Sequence, residues 1–153
     1  MEKGLRDYYN NELIGAIAMM SILQHVKTLS YAKALLVYPM VSHKELLTFL
    51  KSENTVVRGL EELLAKKPSL FANFNDRYFS LLSISLDSMC LLEQLGIAKM
   101  ENGVLLYNES NNFDLESPDL GKRAHAIIKG SKKLSLILQE EVSTLYLQLR
   151  VEI

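Results

Sequence analysis

The stretch that decides the fold is RYFSLLSISLDSMCLLEQLGIAKMENGVLLY, residues 77–107. Its first part places apolar residues at steps of three and four, which is the spacing of an amphipathic helix. Gly96 follows, and glycine commonly ends a helix because it adopts positive φ without strain. Two short apolar runs then flank Asn102 and Gly103, the strongest short-range signal for a β-hairpin. The stretch therefore predicts a long helix and a hairpin, the pattern of a winged-helix-like domain.

The bounds of these elements follow from the same residues. Asp76 can cap the long helix, which is predicted to continue to Leu95. The strands are predicted at residues 97–100 and 104–107. Cys90, the only cysteine, lies in this helix among leucine and methionine residues. We expect its thiol to be buried, since a free cysteine usually behaves as a small apolar residue.

Two helices are predicted upstream. Asn10 or Asn11 can cap the first, and apolar residues cover most of its circumference, so we expect it to be buried on more than one side. The second lies within residues 31–41, YAKALLVYPMV. Because proline disrupts a helix interior, we expect this helix to end near Val37 or to kink at Pro39.

Two further short helices are predicted before the long one. Ser42 and Glu45 have the spacing of a capping box, which favours a helix start at this point. Thr55 is expected to open the next helix, which ends before Pro68. A connecting segment follows, in which we expect Phe71 and Phe74 to pack onto the core.

The remainder of the chain is a polar loop and a helical segment. The predicted architecture is mainly α with a minor β part, in one domain of residues 1–153. Its parts are a helical core at 10–96, a β-hairpin at 97–107, a loop at 108–119 and a C-terminal helical segment at 120–149. An interruption of that last segment is expected near Gly130 and Ser131.

Composition bounds the class of protein. The 153 residues are 48% hydrophobic and 23% charged, as in globular proteins, and the net charge is −1. The net charge therefore gives the protein no overall electrostatic attraction to nucleic acid or to a membrane surface. The start has no apolar segment of signal-peptide type, and the longest apolar stretch is shorter than the roughly 20 residues that span a bilayer. We expect a cytoplasmic protein with no membrane contact.

No catalytic, cofactor or metal site is predicted. His25, His43 and His125 are far apart in sequence, and no second cysteine accompanies Cys90. The adjacent carboxylates, such as Glu140 and Glu141, point about 100° apart on a helix and so do not share a site. Nucleotide-binding loops and the nucleophile elbow are missing from the sequence.

One basic cluster lies in the C-terminal segment. It consists of Lys122, Arg123, Lys129, Lys132 and Lys133. With the hairpin beside it, such a cluster could contact DNA phosphates. The candidate reading helix is, however, too apolar for base readout, which requires polar side chains that reach base edges. A solvated face is the favoured interpretation, and sequence-specific DNA binding is the alternative.

A resemblance to a known family rests on the order of several short segments. These are NELIGA at 11–16, ALLVYPMVSHKELL at 34–47, RYFSLL at 77–82, LEQLG at 92–96, LGKRA at 120–124 and TLYLQLRV at 144–151. Together they resemble the middle component of bacterial ABC-three-component systems, the set that includes Lamassu-type anti-phage and anti-plasmid defence operons. The resemblance covers nearly the whole chain. It departs at Arg150, where family members often have glycine.

The resemblance implies a non-enzymatic, regulatory subunit that links an SMC- or Rad50-like ABC ATPase to an effector, commonly a nuclease. DNA would be contacted mainly by the complex. The partner-binding candidates are Arg77, Tyr78, Leu136, Ile137, Leu145, Tyr146, Leu149 and Val151. Large apolar groups at a chain end require docking to stay ordered, so the C-terminal segment is expected to dock on the protein's own core or on a partner. The alternatives are a winged-helix transcription regulator and an uncharacterised enzyme.

Overall fold

The structure, a computed structural model, describes the backbone of residues 2–153 and the side chains of residues 11–153. The described part contains eight α-helices and a three-stranded sheet. In chain order the elements are α1 (Glu2–Val26), β1 (Thr28–Ser30), α2 (Tyr31–Val41), α3 (Lys44–Lys51), α4 (Leu60–Lys66), α5 (Phe74–Ser80), α6 (Leu82–Gln94), β2 (Ala98–Glu101), β3 (Val104–Tyr107), α7 (Lys122–Ile137) and α8 (Val142–Gln148). The mainly α fold with a minor β part is confirmed.

Helix α1 is the centre of the core. Residues 15–23 are buried without interruption, and the helix packs against both α6 and α7. Burial on more than one side is therefore confirmed. The predicted N-cap is wrong, because the helix runs through Asn10 and Asn11 from Glu2. The side chain of Asn10 lies outside the described residues.

The sheet contains the predicted hairpin and one strand that was not predicted. The strands are antiparallel in the order β1-β3-β2. Asn102 and Gly103 form the turn with φ of 52° and 79°, so the prediction of a turn with two positive φ angles is confirmed. Strand β2 begins one residue later than predicted because Ile97 takes part in the cap that follows α6. Its backbone N–H donates to the carbonyl of Leu92 at 2.9 Å.

The long helix predicted before the hairpin is two helices. The break is at Leu81, with φ of −103° and ψ of 2°, and Asp76 lies in the first turn of α5 instead of capping a long helix. The prediction of a buried Cys90 is also wrong, because its side chain is exposed. The buried face of α6 contains Met89 and Leu92, and Cys90 lies about 100° from its neighbour Met89 around the helix.

Several upstream boundaries differ from the predictions. Helix α2 continues through Pro39 to its last residue, Val41, and Ser42 donates its hydroxyl to the Pro39 carbonyl at 3.1 Å. Ser42 is therefore the C-cap of α2, and the N-cap position of α3 is occupied by His43, whose side chain makes no capping hydrogen bond, so the predicted capping box is wrong. Thr55 does not open a helix. Its hydroxyl donates to the Phe49 carbonyl at 2.6 Å and so caps the end of α3.

The C-terminal segment is interrupted later than predicted. Helix α7 continues through Gly130 and Ser131 and ends at Ile137, and α8 begins at Val142. Gly130 serves close packing, since a Cβ at this position would lie 3.0 Å from the Cβ of Leu50 in α3. Phe71 and Phe74 are buried, as expected.

Helices α6 and α8 end in the same kind of C-terminal cap, in which one residue adopts a positive φ angle. That residue differs between the two helices. Gly96, after α6, has φ of 71°, and Arg150, after α8, has φ of 58°. In both cases the next N–H donates to the carbonyl five residues earlier, which is the Schellman arrangement. The left-handed conformation costs a residue with a Cβ about 1–2 kcal/mol. Arg150 is therefore a strained substitute for glycine.

We expect Arg150→Gly to raise the free energy of unfolding by about 0.5–1 kcal/mol, after subtraction of the extra backbone freedom of glycine in the unfolded chain. Urea denaturation of both proteins measures this difference. The matched variant is Gly96→Ala, which should lower stability by about 1 kcal/mol, since an added Cβ meets no atom within 4 Å and only the backbone is strained. An Arg150→Gly protein less stable than the parent contradicts the assignment.

Candidate interaction surface

The polar side chains of the described residues do not gather into a catalytic or metal centre. No group of three or more histidine, cysteine, aspartate or glutamate side chains that could hold a metal ion is found among them. His25 and Ser131 lie 3.0 Å apart, from Nε2 to Oγ. Because Ser131 donates its proton to the Ile128 carbonyl, His25 must donate to Ser131. Burial, and next the charge of Lys132, lowers the pKa of His25, which therefore joins α1 to α7 as a neutral side chain.

Two of the three guanidinium nitrogens of Arg77 are paired within the protein, and the third, Nη2, is buried without a hydrogen-bond partner among the described residues. Its Nε donates to the Pro39 carbonyl at 3.3 Å and its Nη1 to the Ala72 carbonyl at 2.5 Å. The guanidinium lies 5.4 Å from the centre of the Phe74 ring. Burial lowers the pKa of Arg77, and burial followed by the Arg77 charge lowers the pKa of His43. Arg77 thus ties the start of α5 to the end of α2.

Two tyrosines fasten the C-terminal helix. The hydroxyl of Tyr146 donates to the Ala32 carbonyl at 2.5 Å and lies 3.2 Å from the hydroxyl of Tyr78. Since the Tyr146 proton is used for Ala32, Tyr78 donates to Tyr146. The two rings meet edge to face with their centres 5.7 Å apart. Burial raises the pKa of Tyr146, and the hydrogen bond with Tyr78 adds to this effect. The Tyr146 phenol is therefore a neutral structural group, and Tyr78 helps to hold it in place.

The other partner-binding candidates are mostly core residues of the chain itself. Ile137 and Leu145 are fully buried and Leu149 nearly so, whereas Leu136 and Val151 are half-buried. The C-terminal segment accordingly docks on the protein's own core, the first of the two predicted alternatives. Binding of a partner by the more accessible candidates stays a prediction.

Part of the basic cluster is used to hold a loop. Lys133 donates to the Ser52 carbonyl and, at 2.7 Å, to the hydroxyl of Thr55. Lys129 lies 3.7 Å from the carboxylate of Glu53. These contacts fix the segment between α3 and α4 against α7. Lys133 thus has a structural role, whereas the exposed pair of Lys129 and Glu53 contributes little.

The other three basic side chains of the cluster differ in whether they contact other residues of the protein. Arg123 lies over the ring of Tyr38 and donates to its hydroxyl at 3.3 Å. Lys122 and Lys132 are exposed, and neither has an ion pair with a described residue. They are ten residues apart on α7, about 15 Å along its axis. Contact of the whole cluster with phosphates stays a prediction.

The sequence did not reveal the exposed apolar side chains. Leu86 is 46% exposed on the outward face of α6, where it lies one helical turn from Cys90, and Phe79 is 45% exposed at the end of α5. Val56 and Leu147 are exposed elsewhere. Periodicity could not identify them, because an apolar residue on an outward face has the same spacing as a core residue. An exposed apolar face is a common mark of a protein-binding surface.

Comparison with known proteins adds one match. A family model described as "ABC-three component (ABC-3C) system Middle Component 3" matches residues 11–153, nearly the whole chain. No curated protein and no solved structure matches. A search of the described helices finds none with the length and apolar character needed to cross a bilayer.

Proposed function

Since the chain belongs to the ABC-three-component system middle component 3 family, we propose that it is a non-catalytic subunit that joins other proteins of such a system. In this proposal it links an SMC- or Rad50-like ATPase to an effector and holds the effector inactive until the ATPase changes state. The subunit does not read DNA itself, and DNA is contacted through the complex. The effector is expected to be a nuclease, and the system to act in bacterial defence against phage or plasmids.

The observation that supports this function best is the chemistry of α6. The order α1, β1, α2, α6, β2, β3 supports a winged-helix arrangement into which α3–α5 are inserted, and α6 then takes the position of the reading helix. Between Tyr78 and Ala98 the chain has no lysine or arginine. The outward face of α6 instead contains Leu86 and Cys90. Such a face suits a protein partner better than a phosphate backbone.

A transcription regulator is the second candidate because of the same helix and hairpin. Direct readout of bases requires side chains with hydrogen-bond donors or acceptors in the major groove. Helix α6 contains two acidic residues, Asp87 and Glu93, and no basic one, so its charge disfavours binding to phosphates. Glu93 also accepts a hydrogen bond from the backbone N–H of Met100 at 2.7 Å. The structure thus favours protein binding.

The test is assembly with an SMC- or Rad50-like ATPase and an effector, which this proposal expects to be encoded beside the gene. We expect Leu86→Glu to weaken capture of one of these proteins by at least tenfold, because it places a charge in an apolar contact. Val56→Glu is the matched control, since Val56 is also exposed, at 74%, but lies outside α6. Circular dichroism should show both variants folded, and biolayer interferometry measures the affinities.

A DNA measurement separates the two candidate functions. A regulator binds DNA on its own, and its affinity falls as salt rises, with a shallower slope after Lys122→Glu and Lys132→Glu. For a bridging subunit we expect weak DNA binding by the isolated chain and no effect of these two changes. Tight, salt-dependent binding by the isolated chain, together with normal capture by Leu86→Glu, would overturn the proposed function.

A further inference from the structure

Strand β1 leaves one edge of the sheet open. Tyr107 donates its N–H to the Lys27 carbonyl at 2.9 Å, and Tyr31 donates to the Gly103 carbonyl at 2.8 Å, so both Lys27 and Tyr31 face β3. Backbone groups along an antiparallel strand alternate in direction. Thr28 and Ser30 therefore direct their N–H groups away from β3. Neither N–H has a hydrogen-bond partner among the described residues.

The opposite edge of the sheet is partly closed. There, on β2, the outward N–H of Met100 donates to the carboxylate of Glu93 at 2.7 Å. A side chain of the protein itself thus covers a group that could otherwise bind another strand. Unpaired edges are usually protected in this way because they bind extended chains. The β1 edge lacks such protection within the described part of the chain.

A groove of about 630 Å³ lies beside this open edge. Its apolar lining includes Ile22 and Val142, and Leu138 lies at the bend between α7 and α8. Strand β1 itself forms part of the lining, so the open N–H groups and the apolar surface belong to one site. An extended chain fits both features, since its backbone bonds to the edge while alternate side chains enter the groove.

Charged groups of opposite sign line the groove on different elements. Lys33, in the first turn of α2, has no ion pair with a described residue, and this turn contains no acidic residue. The positive end of the helix dipole adds to its charge. Glu141, just before α8, is exposed in the same groove. An occupant with an acidic residue near Lys33 and a basic residue near Glu141 would complement both.

We propose that an extended segment of another component of the system adds to β1 as a fourth strand, with apolar side chains in the groove and an acidic side chain against Lys33. This inference rests on the proposed bridging function and specifies how one partner binds. Thr28 and Ser30 provide its backbone hydrogen bonds.

The first test is hydrogen exchange in the assembled complex of the co-expressed components, compared with the isolated chain and resolved to single amides. The amides of Thr28 and Ser30 should exchange at least tenfold more slowly on assembly. The amide of Leu29 already faces β3 and should change less. Slowing at alternate residues is the signature of strand addition, because burial under a domain would slow all three.

The second test uses a pair of variants at one residue. Ser30 has φ of −61°, which proline adopts without strain, and its hydroxyl accepts a hydrogen bond from the Lys33 N–H at 3.2 Å. Ser30→Ala and Ser30→Pro both lose this hydroxyl, but only the proline variant loses the N–H that faces the groove. We expect Ser30→Pro to bind the partner at least tenfold more weakly than Ser30→Ala, and Lys33→Glu to show a similar loss.

The outcomes separate this proposal from the function on which it rests. Assembly with unprotected Thr28 and Ser30, and equal binding by the two Ser30 variants, overturns strand addition and leaves the bridging function intact. If the components do not assemble with the parent chain, the bridging function itself is wrong. A third outcome concerns the isolated chain. If its Thr28 and Ser30 amides exchange more slowly as protein concentration rises, and its measured mass is that of a dimer, the occupant of the groove is a second copy of the chain. That result overturns the proposed partner.

Discussion

Gly15→Ala is expected to lower the free energy of unfolding by about 3 kcal/mol, the upper part of the range for an overpacked core. An added Cβ at Gly15 would lie 2.2 Å from the Oγ of Ser88 and 3.1 Å from its Cβ. Ser88 cannot move away without loss, because its hydroxyl lies within hydrogen-bond distance of the Glu12 and Ile84 carbonyls, at 2.9 and 2.8 Å. The crossing of α1 and α6 therefore requires a glycine. Urea denaturation monitored by circular dichroism measures the loss.

Two matched variants isolate the overlap. Gly59→Ala should be nearly neutral, because a Cβ at Gly59 meets no atom within 4 Å and its backbone is extended, with φ of 163°. In a Ser88→Gly background the overlapping atoms are removed, so Gly15→Ala should cost much less than in the parent. Equal costs for Gly15→Ala in the two backgrounds would show that α1 and α6 do not meet at this point.

The elements predicted correctly are those with local causes. The turn at Asn102 and Gly103 and the helix end at Gly96 depend on positive φ, which few residues other than glycine and asparagine adopt readily. Strand β1 was not predicted because three residues are too few to show alternation. Its conformation is fixed by pairing with β3, 76 residues later at the Leu29 and Leu105 pair.

The errors arise where tertiary contacts override a local pattern. The apolar spacing of residues 77–95 continues across Leu81, but Phe79 and Leu86 are partly exposed, so the pattern combined core and surface residues. Gly130 looked like an interruption, yet it allows α7 to approach Leu50 closely. A glycine inside a helix has the same sequence signal whether it breaks the helix or packs against a neighbour.

The candidate site shows the same ambiguity. Leu145 and Leu149 were expected to dock on the core or on a partner. Both kinds of contact require apolar side chains, so the sequence does not distinguish them. Only their burial shows that they belong to the chain's own core. The open β1 edge has no sequence signal either, because it results from the position of a strand that was not predicted. Contacts between proteins are thus less predictable here than the hairpin.

Deletion of residues 144–153 should prevent stable folding. It removes three buried side chains, Leu145, Tyr146 and Leu149, and each buried side chain of this size contributes about 1.5–3 kcal/mol. The deletion also removes the hydrogen bond from Tyr146 to the Ala32 carbonyl and exposes the apolar surface beneath α8. The summed loss, about 5–9 kcal/mol, is comparable to the whole stability of a typical domain. Soluble yield and thermal melting measure the outcome.

A smaller change tests the same contact in a protein that still folds. Tyr146→Phe keeps the ring and removes the hydroxyl that joins Ala32 and Tyr78, which should cost about 1–3 kcal/mol because the buried partner is left unpaired. Removal of Ile153 alone should be nearly neutral, since this residue is 96% exposed. If the truncated chain of residues 1–143 melts cooperatively near the temperature of the parent, α8 is not part of the core. A folded truncation that loses only its partners would instead assign the C-terminal segment to an interface.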